Sequence, residues 1–203
     1  GKANPILGSS NASFCLDCLP GSIALANGSA KCELCAPGKF MNESGQTACF
    51  DCTPGYYCIE GSSAPLPCPA GTHTNASLDV MTDPSQCVPC EAGTWCSVGS
   101  ATATPCSPGT VNPEERQSEC GTCSAGTFMN ESGHTACFDC VAGFFCEQGA
   151  STPLPCETGT FGNATNLEAP DQCHVCPFGH YCVSGAVEPE PCPAGTYGAC
   201  LLY

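Results

Sequence analysis

The hydrophobic residues of this chain occur in short runs that are separated by glycine, proline and cysteine. Nowhere do they recur at intervals of three, four and seven residues over three turns, so the pattern predicts negligible helix. A short β-prone piece such as Lys39–Met41 or Thr127–Met129 instead follows a glycine turn and precedes a polar loop that ends at a cysteine. This order predicts small irregular β-hairpins that are clamped near their base.

One stretch of the chain is repeated almost unchanged. Gly38–Cys68 returns 88 residues later as Gly126–Cys156, with 21 of 31 positions identical and every cysteine in register. Similarity at a fixed period is typical of repeat arrays in which each module touches its neighbours. We therefore expect an elongated rod with a partial N-terminal module (1–35), a first cysteine-rich super-repeat (36–122) and a second, C-terminally truncated one (123–203).

Cysteine is the most informative part of the composition. The chain has 203 residues, of which 23 are Cys, 23 Gly and 19 Pro, and this Cys fraction exceeds the roughly 8–10% that marks a disulfide scaffold. Ordering a residue costs on the order of 1.5 kcal/mol, so modules without a continuous core need covalent staples or metal. Cross-linking a loop of 13–18 residues contributes roughly 3 kcal/mol in the chain-entropy model.

The spacing of the cysteines suggests how they pair. A C-x2-C-x5-C-x9-C set occurs four times, and loops of C-x13-C type join the sets. The array repeats most simply if, in each C-x2-C, the first cysteine closes the preceding loop and the second opens the next feature. The predicted disulfides are Cys18–Cys32, Cys35–Cys49, Cys52–Cys58, Cys68–Cys87, Cys90–Cys96, Cys106–Cys120, Cys123–Cys137, Cys140–Cys146, Cys156–Cys173 and Cys176–Cys182.

Three cysteines remain outside these pairs. Cys15 is expected to pair upstream, while Cys192 and Cys200 pair either with each other or with residues beyond Tyr203. The odd number of cysteines therefore suggests a cut through a longer array.

Zinc is the main competing use of the cysteines. The spacing C-x2-C-x13-C-x2-C, from Cys32 to Cys52 and from Cys120 to Cys140, is that of a zinc ribbon. The additional cysteines and the glycosylation motifs favour disulfides. Redox catalysis by C-x2-C is disfavoured further, because many copies occur without a βαβ frame.

The charge of the chain excludes several classes of partner. Nineteen acidic residues stand against four Lys and Arg, which gives a net charge of −15. Nucleic acid and anionic lipid both require clustered basic residues, so we expect neither as a partner. No apolar run reaches the ~18–20 residues of a membrane span. The four histidines have no paired spacing, and no catalytic motif occurs, so we expect no enzyme activity, no bound metal and no cofactor.

Six N-x-[ST] sequons predict N-linked glycans as a covalent modification. Four of the six asparagines lie seven residues after the cysteine that opens their loop, and one further loop has Asn112 followed by Pro113, which blocks the acceptor. The alternative is that these asparagines only serve turns. The predicted glycosylation sites are Asn11, Asn27, Asn42, Asn75, Asn130 and Asn163.

The repeated local text resembles a known kind of module. C-P-A-G-T, a loop closed by C-x2-C, and then G-Y-Y-C are similar to the ephrin-receptor-like cysteine-rich (GCC2/GCC3-type) repeats. The Cys68–Cys87 loop also resembles the first submodule of tumour-necrosis-factor-receptor cysteine-rich repeats, whereas the strict C-x5-C-x9-C arc departs from their second submodule. The resemblance implies an elongated, β-poor extracellular array, and it transfers no ligand-binding residue to this chain.

These observations predict a structural extracellular glycoprotein segment, secreted or on the cell surface. It would build or space a filament, a flagellar-hair-like appendage or a surface coat, with other copies or other chains of that assembly as partners. Near-identical tandem modules suit a polymer better than a unique binding face. The alternative is a cysteine-rich stalk or ligand-binding ectodomain of a cell-surface receptor or adhesion protein, whose partner would be a protein ligand.

Overall fold

The computed structural model describes residues 1–196 of the chain. Within this range the regular structure consists of 22 strands of two residues each and three short 3-10 helices, without any α-helix. Residue contacts divide the chain into two compact units. The first comprises Gly1–Glu91, Cys96–Thr104 and Arg116–Ser118, and the second comprises Ala92–Trp95, Pro105–Glu115 and the chain from Glu119 onward.

Five antiparallel hairpins form the first unit. In each of them a strand pairs with the next strand in sequence, in the two-residue register expected of a short hairpin. The pairs are β1 (Lys2–Ala3) with β2 (Leu16–Asp17), β3 (Ser22–Ile23) with β4 (Glu33–Leu34), β5 (Lys39–Phe40) with β6 (Phe50–Asp51), β7 (Tyr56–Tyr57) with β8 (Leu66–Pro67), and β9 (Thr72–His73) with β10 (Val88–Pro89).

Five hairpins of the same kind lie in the second unit. They are β13 (Thr110–Val111) with β14 (Gly121–Thr122), β15 (Thr127–Phe128) with β16 (Phe138–Asp139), β17 (Phe144–Phe145) with β18 (Leu154–Pro155), β19 (Thr160–Phe161) with β20 (His174–Val175), and β21 (His180–Tyr181) with β22 (Glu190–Pro191). Strands β11 (Thr94–Trp95) and β12 (Thr104–Pro105) lie in the stretch of sequence where segments of the two units alternate.

The longest loops contain the 3-10 helices Ala12–Phe14, Pro84–Gln86 and Pro170–Gln172. The first two begin with a side chain, that of Asn11 or Asp83, which accepts a hydrogen bond from a free amide of the first turn. Asp83 accepts a hydrogen bond from the amide of Ser85 at 2.8 Å, and the side chain of Gln86 accepts one from the amide of Thr82 at 2.7 Å. These contacts let a loop of up to 18 residues close as tightly as the shorter loops.

The buried interior is divided into small clusters around the disulfides. One cluster contains Ile23, Cys35 and Met41 with Cys49 packed against it, and a second contains Cys68, Met81 and Cys87. Met41, Met81 and Met129 are the largest side chains with almost no exposure. Flexible thioethers suit irregular spaces beside disulfides, and Met41 and Met81 fill such spaces in these two clusters.

The structure confirms the fold class expected from sequence. The chain is a series of small disulfide-rich β-hairpin repeats without an α-helix in residues 1–196.

Candidate functional site

Each hairpin after β1–β2 opens with a turn whose glycine has a positive φ angle. In the hairpin β5–β6, Gly38 has φ +86°, a conformation that other residues resist. Its carbonyl accepts a hydrogen bond from the amide of Cys52 at 2.8 Å, which closes the base of the hairpin. The glycines that begin these turns recur every 16 to 22 residues along the described chain.

A backbone hydrogen-bond ladder joins successive hairpins within each unit. We define the rung residue as the sixth residue after the cysteine that opens a hairpin, and seven of the ten rung residues make two of these bonds. Met41 accepts a hydrogen bond from the amide of Gly21 at 2.7 Å and donates one to the carbonyl of Ser62 at 3.1 Å. Met129 does the same in the second unit, with Gly109 at 2.7 Å and Ala150 at 3.1 Å.

The rung residues share burial rather than side-chain type. All are buried except Thr74, which is half-buried. They are Ala24, Met41, Cys58, Thr74, Cys96, Asn112, Met129, Cys146, Gly162 and Cys182. The ladder is therefore made by the backbone, which permits different side chains at its rungs provided that they fit a small dry space.

A second contact skips one hairpin. A Cβ atom added to Gly109 would lie 2.3 Å from the carbonyl oxygen of Gly149, which belongs to the hairpin after next. Equivalent glycines at Gly21, Gly55, Gly93 and others face a carbonyl oxygen in the same way. These turns thus need glycine twice, for the φ angle and for the approach of a backbone with no room for a side chain.

The loop-tip residue on the other side of this contact is less restricted. Gly149 has φ +73°, and no described residue lies within 4 Å of a Cβ added there. Arg116 and Asn166 occupy the same loop-tip position with φ +63° and +61°. The glycines of this contact therefore fall into two classes: turn glycines such as Gly109 have no room for a side chain, whereas the loop tip at Gly149 has room.

Asn112 has a role that sequence reasoning missed. From the sequence, Asn112–Pro113 is interpreted as an interrupted glycosylation motif. The structure places Asn112 at a rung position, where the residue is 3% exposed. Its Nδ2 donates a hydrogen bond to the carbonyl of Thr94 at 2.9 Å. Counting six residues from Cys106, as from Cys35 to Met41, is the signal that would have identified this position.

Disulfides fasten the hairpins, and the structure joins the same ten pairs of cysteines that the spacing predicts. Their Cα–Cα distances lie between 5.6 and 6.3 Å, within the ordinary range for a bridge. The pairs are Cys18–Cys32, Cys35–Cys49, Cys52–Cys58, Cys68–Cys87, Cys90–Cys96, Cys106–Cys120, Cys123–Cys137, Cys140–Cys146, Cys156–Cys173 and Cys176–Cys182.

Two of the three remaining cysteines lie in the described part of the chain. Cys15 and Cys192 are both half-buried and unbridged there. Cys200 lies outside the described residues, so its predicted pairing stays a prediction.

The cysteines with zinc-ribbon spacing are distributed over three different bridges. Cys32 bonds to Cys18, Cys35 to Cys49, and Cys52 to Cys58. A zinc site needs thiolates, whereas each of these sulfurs is bonded to the sulfur of another cysteine. Among residues 1–196 no group of three or more His, Cys, Asp or Glu side chains is placed to hold a metal ion.

Five of the six sequon asparagines are exposed, and Asn75 is half-buried. Asn11 and Asn75 each accept a hydrogen bond through Oδ1 from the amide two residues later, at 3.0 Å. These bonds do not involve Nδ2, the atom to which a glycan is attached. Serving a turn and carrying a sugar are therefore compatible at these positions.

The ionisable side chains are dispersed over exposed surface. Lys2 pairs with Asp17 at 3.2 Å, and Lys39 pairs with Asp51. Exposed pairs of this kind contribute little, about 0–1 kcal/mol. The hydrogen bonds that the side chain and the backbone amide of Ser85 donate to Asp83 lower the pKa of that exposed carboxyl group.

One cavity of about 510 Å³ contains a perturbed group. It is lined by Tyr181, Glu188 and Glu190, among others. The Tyr181 hydroxyl donates to the carboxylate of Glu190, and this bond together with the nearby charge raises the pKa of Tyr181. A phenol with a raised pKa is neither a base nor a nucleophile at neutral pH.

No protein-family model matches the chain, and the curated proteins contain no significant match. In the described residues, no helix is both long and apolar enough to span a bilayer.

Proposed function

We propose that this chain is a segment of an extracellular structural glycoprotein, a disulfide-stapled and N-glycosylated rod. Its role is to build or space a filament, a flagellar-hair-like appendage or a surface coat. Dense disulfide bonding supports an oxidising, extracellular environment, because such bonds are rare where glutathione keeps thiols reduced.

The observation that carries the proposal is the repeated set of contacts within each unit. Rung residues such as Met41 and Met129 make the same backbone bonds to the hairpins before and after them, although their neighbours differ in sequence. A contact set that depends on the backbone can be extended by adding hairpins without redesigning an interface. That property suits a spacer whose length is its function.

The charges and the sugars support the same role. A net charge of −15 keeps chains soluble and disfavours nonspecific collapse. Glycans at Asn42, Asn130 and the other sequons would cover the loops. The lateral partners of the rod would then be other copies or other chains of the assembly. The likeness of the cysteine register to GCC2/GCC3-type repeats is in keeping with this setting.

The experiment that tests the proposal measures length against the number of hairpins. The chain is secreted from eukaryotic cells beside a variant in which residues 38–125 are duplicated in tandem. Small-angle X-ray scattering should give a maximum dimension that increases in proportion to the added hairpins. A maximum dimension that grows only as for a compact globule would contradict the rod.

Electron microscopy then separates the structural role from the alternative of a receptor or adhesion stalk. Uniform fibres from the native full-length protein support the structural role. A full-length sequence that contains a membrane span and a cytoplasmic domain supports the stalk, which would bind a protein ligand.

A further inference from the structure

Three hairpins of this chain carry a pair of rings across their two strands. Phe40 faces Phe50 with ring centroids 5.9 Å apart, and Phe128 faces Phe138 at the same distance. The third pair is Phe161 with His174, at 5.5 Å.

The first ring of each pair lies just before a sequon. Asn42, Asn130 and Asn163 lie two residues after Phe40, Phe128 and Phe161 respectively. In the sequences F-M-N-E-S and F-G-N-A-T, the residue between the ring and the asparagine is the buried rung residue.

The alternation of burial places the ring and the asparagine on the same side of the chain. Phe40 is half-buried, Met41 is buried and Asn42 is exposed. Side chains two residues apart on extended backbone point to the same face. A sugar attached to Nδ2 of Asn42 therefore starts on the face that bears Phe40 and Phe50.

The second ring of each pair has little use in the core. Phe50 is 57% exposed and Phe138 is 49% exposed, which is costly for side chains of this size in water. At the equivalent cross-strand position the short hairpins have one aromatic residue instead of two, such as Phe145, which is buried and faces Leu154. Packing of the hairpins thus explains the first ring, whereas about half of the second ring stays exposed, although Phe138 also contacts the ring of His134 at a centroid distance of 6.1 Å.

Hairpins that lack an asparagine at this position also lack the pair. Val111 faces Gly121 in the loop where Pro113 replaces the acceptor, and Ile23 faces Glu33 in the hairpin whose sequon, Asn27, lies elsewhere in the loop. The fourth sequon of the Asn42 type, Asn75, has a partial counterpart, with His73 facing Val88.

We propose that the ring pairs Phe40/Phe50, Phe128/Phe138 and Phe161/His174 are docking platforms for the first N-acetylglucosamine of the glycans on Asn42, Asn130 and Asn163. One face of a pyranose ring presents C–H groups with partial positive charge, and an aromatic face carries partial negative charge. The sugar covers the exposed ring and becomes part of the hairpin. This inference rests on the glycosylation in the proposed function.

The test uses the full chain secreted from cells fed ¹³C-labelled N-acetylglucosamine and trimmed enzymatically to one sugar per site. Mass spectrometry first establishes which asparagines are occupied. Carbon–proton correlation spectra then report the sugar protons, with Asn42→Gln and Asn130→Gln variants assigning the signals. We expect upfield ring-current shifts at Asn42, Asn130 and Asn163 relative to Asn27, a sequon whose hairpin has no ring pair.

A variant of the exposed ring provides the decisive comparison. Phe50→Leu keeps an apolar side chain at an exposed position, and it should remove most of the shift at Asn42 while leaving the shift at Asn130 unchanged. Phe138→Leu should remove most of the shift at Asn130 and leave the shift at Asn42 unchanged.

The outcomes separate this inference from the function on which it rests. Occupied sites whose sugar shifts equal those of Asn27, or do not respond to Phe50→Leu, overturn the platform and leave the glycoprotein intact. Unoccupied Asn42, Asn130 and Asn163 overturn both.

Discussion

The two classes of glycine lead to a sharp prediction, because Gly109 and Gly149 face each other with unequal room. Both have positive φ angles, +84° and +73°. Alanine at either position therefore costs about 1–2 kcal/mol for the left-handed conformation. Only the Cβ of Gly109→Ala would meet a backbone atom, the carbonyl oxygen of Gly149 at 2.3 Å.

The additional cost of Gly109→Ala follows from the hydrogen bonds that the clash disturbs. To reach an ordinary contact distance, the two backbones must separate by about 1 Å. The bonds from Gly109 to Met129 (2.7 Å) and from Gly149 to Cys123 (2.8 Å) lie directly at this contact. Each contributes about 0.5–1.5 kcal/mol, so Gly109→Ala should lose about 2 kcal/mol more than Gly149→Ala.

Native-state hydrogen exchange measures this difference locally. The amide of Met129, which donates to Ala150 at 3.1 Å, reports opening of the ladder. It should exchange about 30-fold faster in Gly109→Ala than in Gly149→Ala, since 1.36 kcal/mol corresponds to a factor of ten. Equal exchange rates in the two variants would refute the steric argument and reduce the role of glycine here to its φ angle.

Three further predictions concern the rungs, the bridges and the one cavity with a perturbed phenol. Met129→Ala should lose about 2–5 kcal/mol of unfolding free energy in urea under non-reducing conditions, because a fully buried side chain leaves a cavity. Replacing Cys123 and Cys137 together by serine should cost about 3 kcal/mol in the same assay, and retention of the wild-type midpoint would contradict the view that bridges replace a core. Tyr181 should titrate above its ordinary pKa in an absorbance titration, and Glu190→Gln should bring that pKa down. Since its folded pKa is raised, the stability that Tyr181 contributes is present below the unfolded pKa and is lost as the pH rises through the folded pKa.

Much of the fold could be predicted because its determinants are local. A typical hairpin needs a glycine turn, a two-residue strand, a polar loop and a cysteine. All of these lie within about 17 residues of sequence, as from Gly21 to Gly38. Few alternative disulfide pairings remain once the two cysteines of each C-x2-C are assigned to two successive loops of the chain. The ten bridges of the structure therefore coincide with those expected from spacing.

The contacts between hairpins were not predictable in the same way. Nothing in the local sequence distinguishes Gly109, which has no room for a side chain, from Gly149, which has room. Asn112 differs from an exposed loop asparagine such as Asn130 only in its count from the opening cysteine, six residues against seven, and that the sixth position is buried follows from the packing of hairpins. These differences depend on which hairpin approaches from 20 or 40 residues away.

The sequence by itself determined the covalent framework and the hairpin repeat of this protein, since loop closure and turn chemistry act between residues close in the chain. Only the tertiary structure decided which backbone atoms of separate hairpins meet, as for Met41 between Gly21 and Ser62. The physical reason is that the ladder is built from amides and carbonyls, which every residue possesses, so its partners leave almost no mark on the choice of side chains.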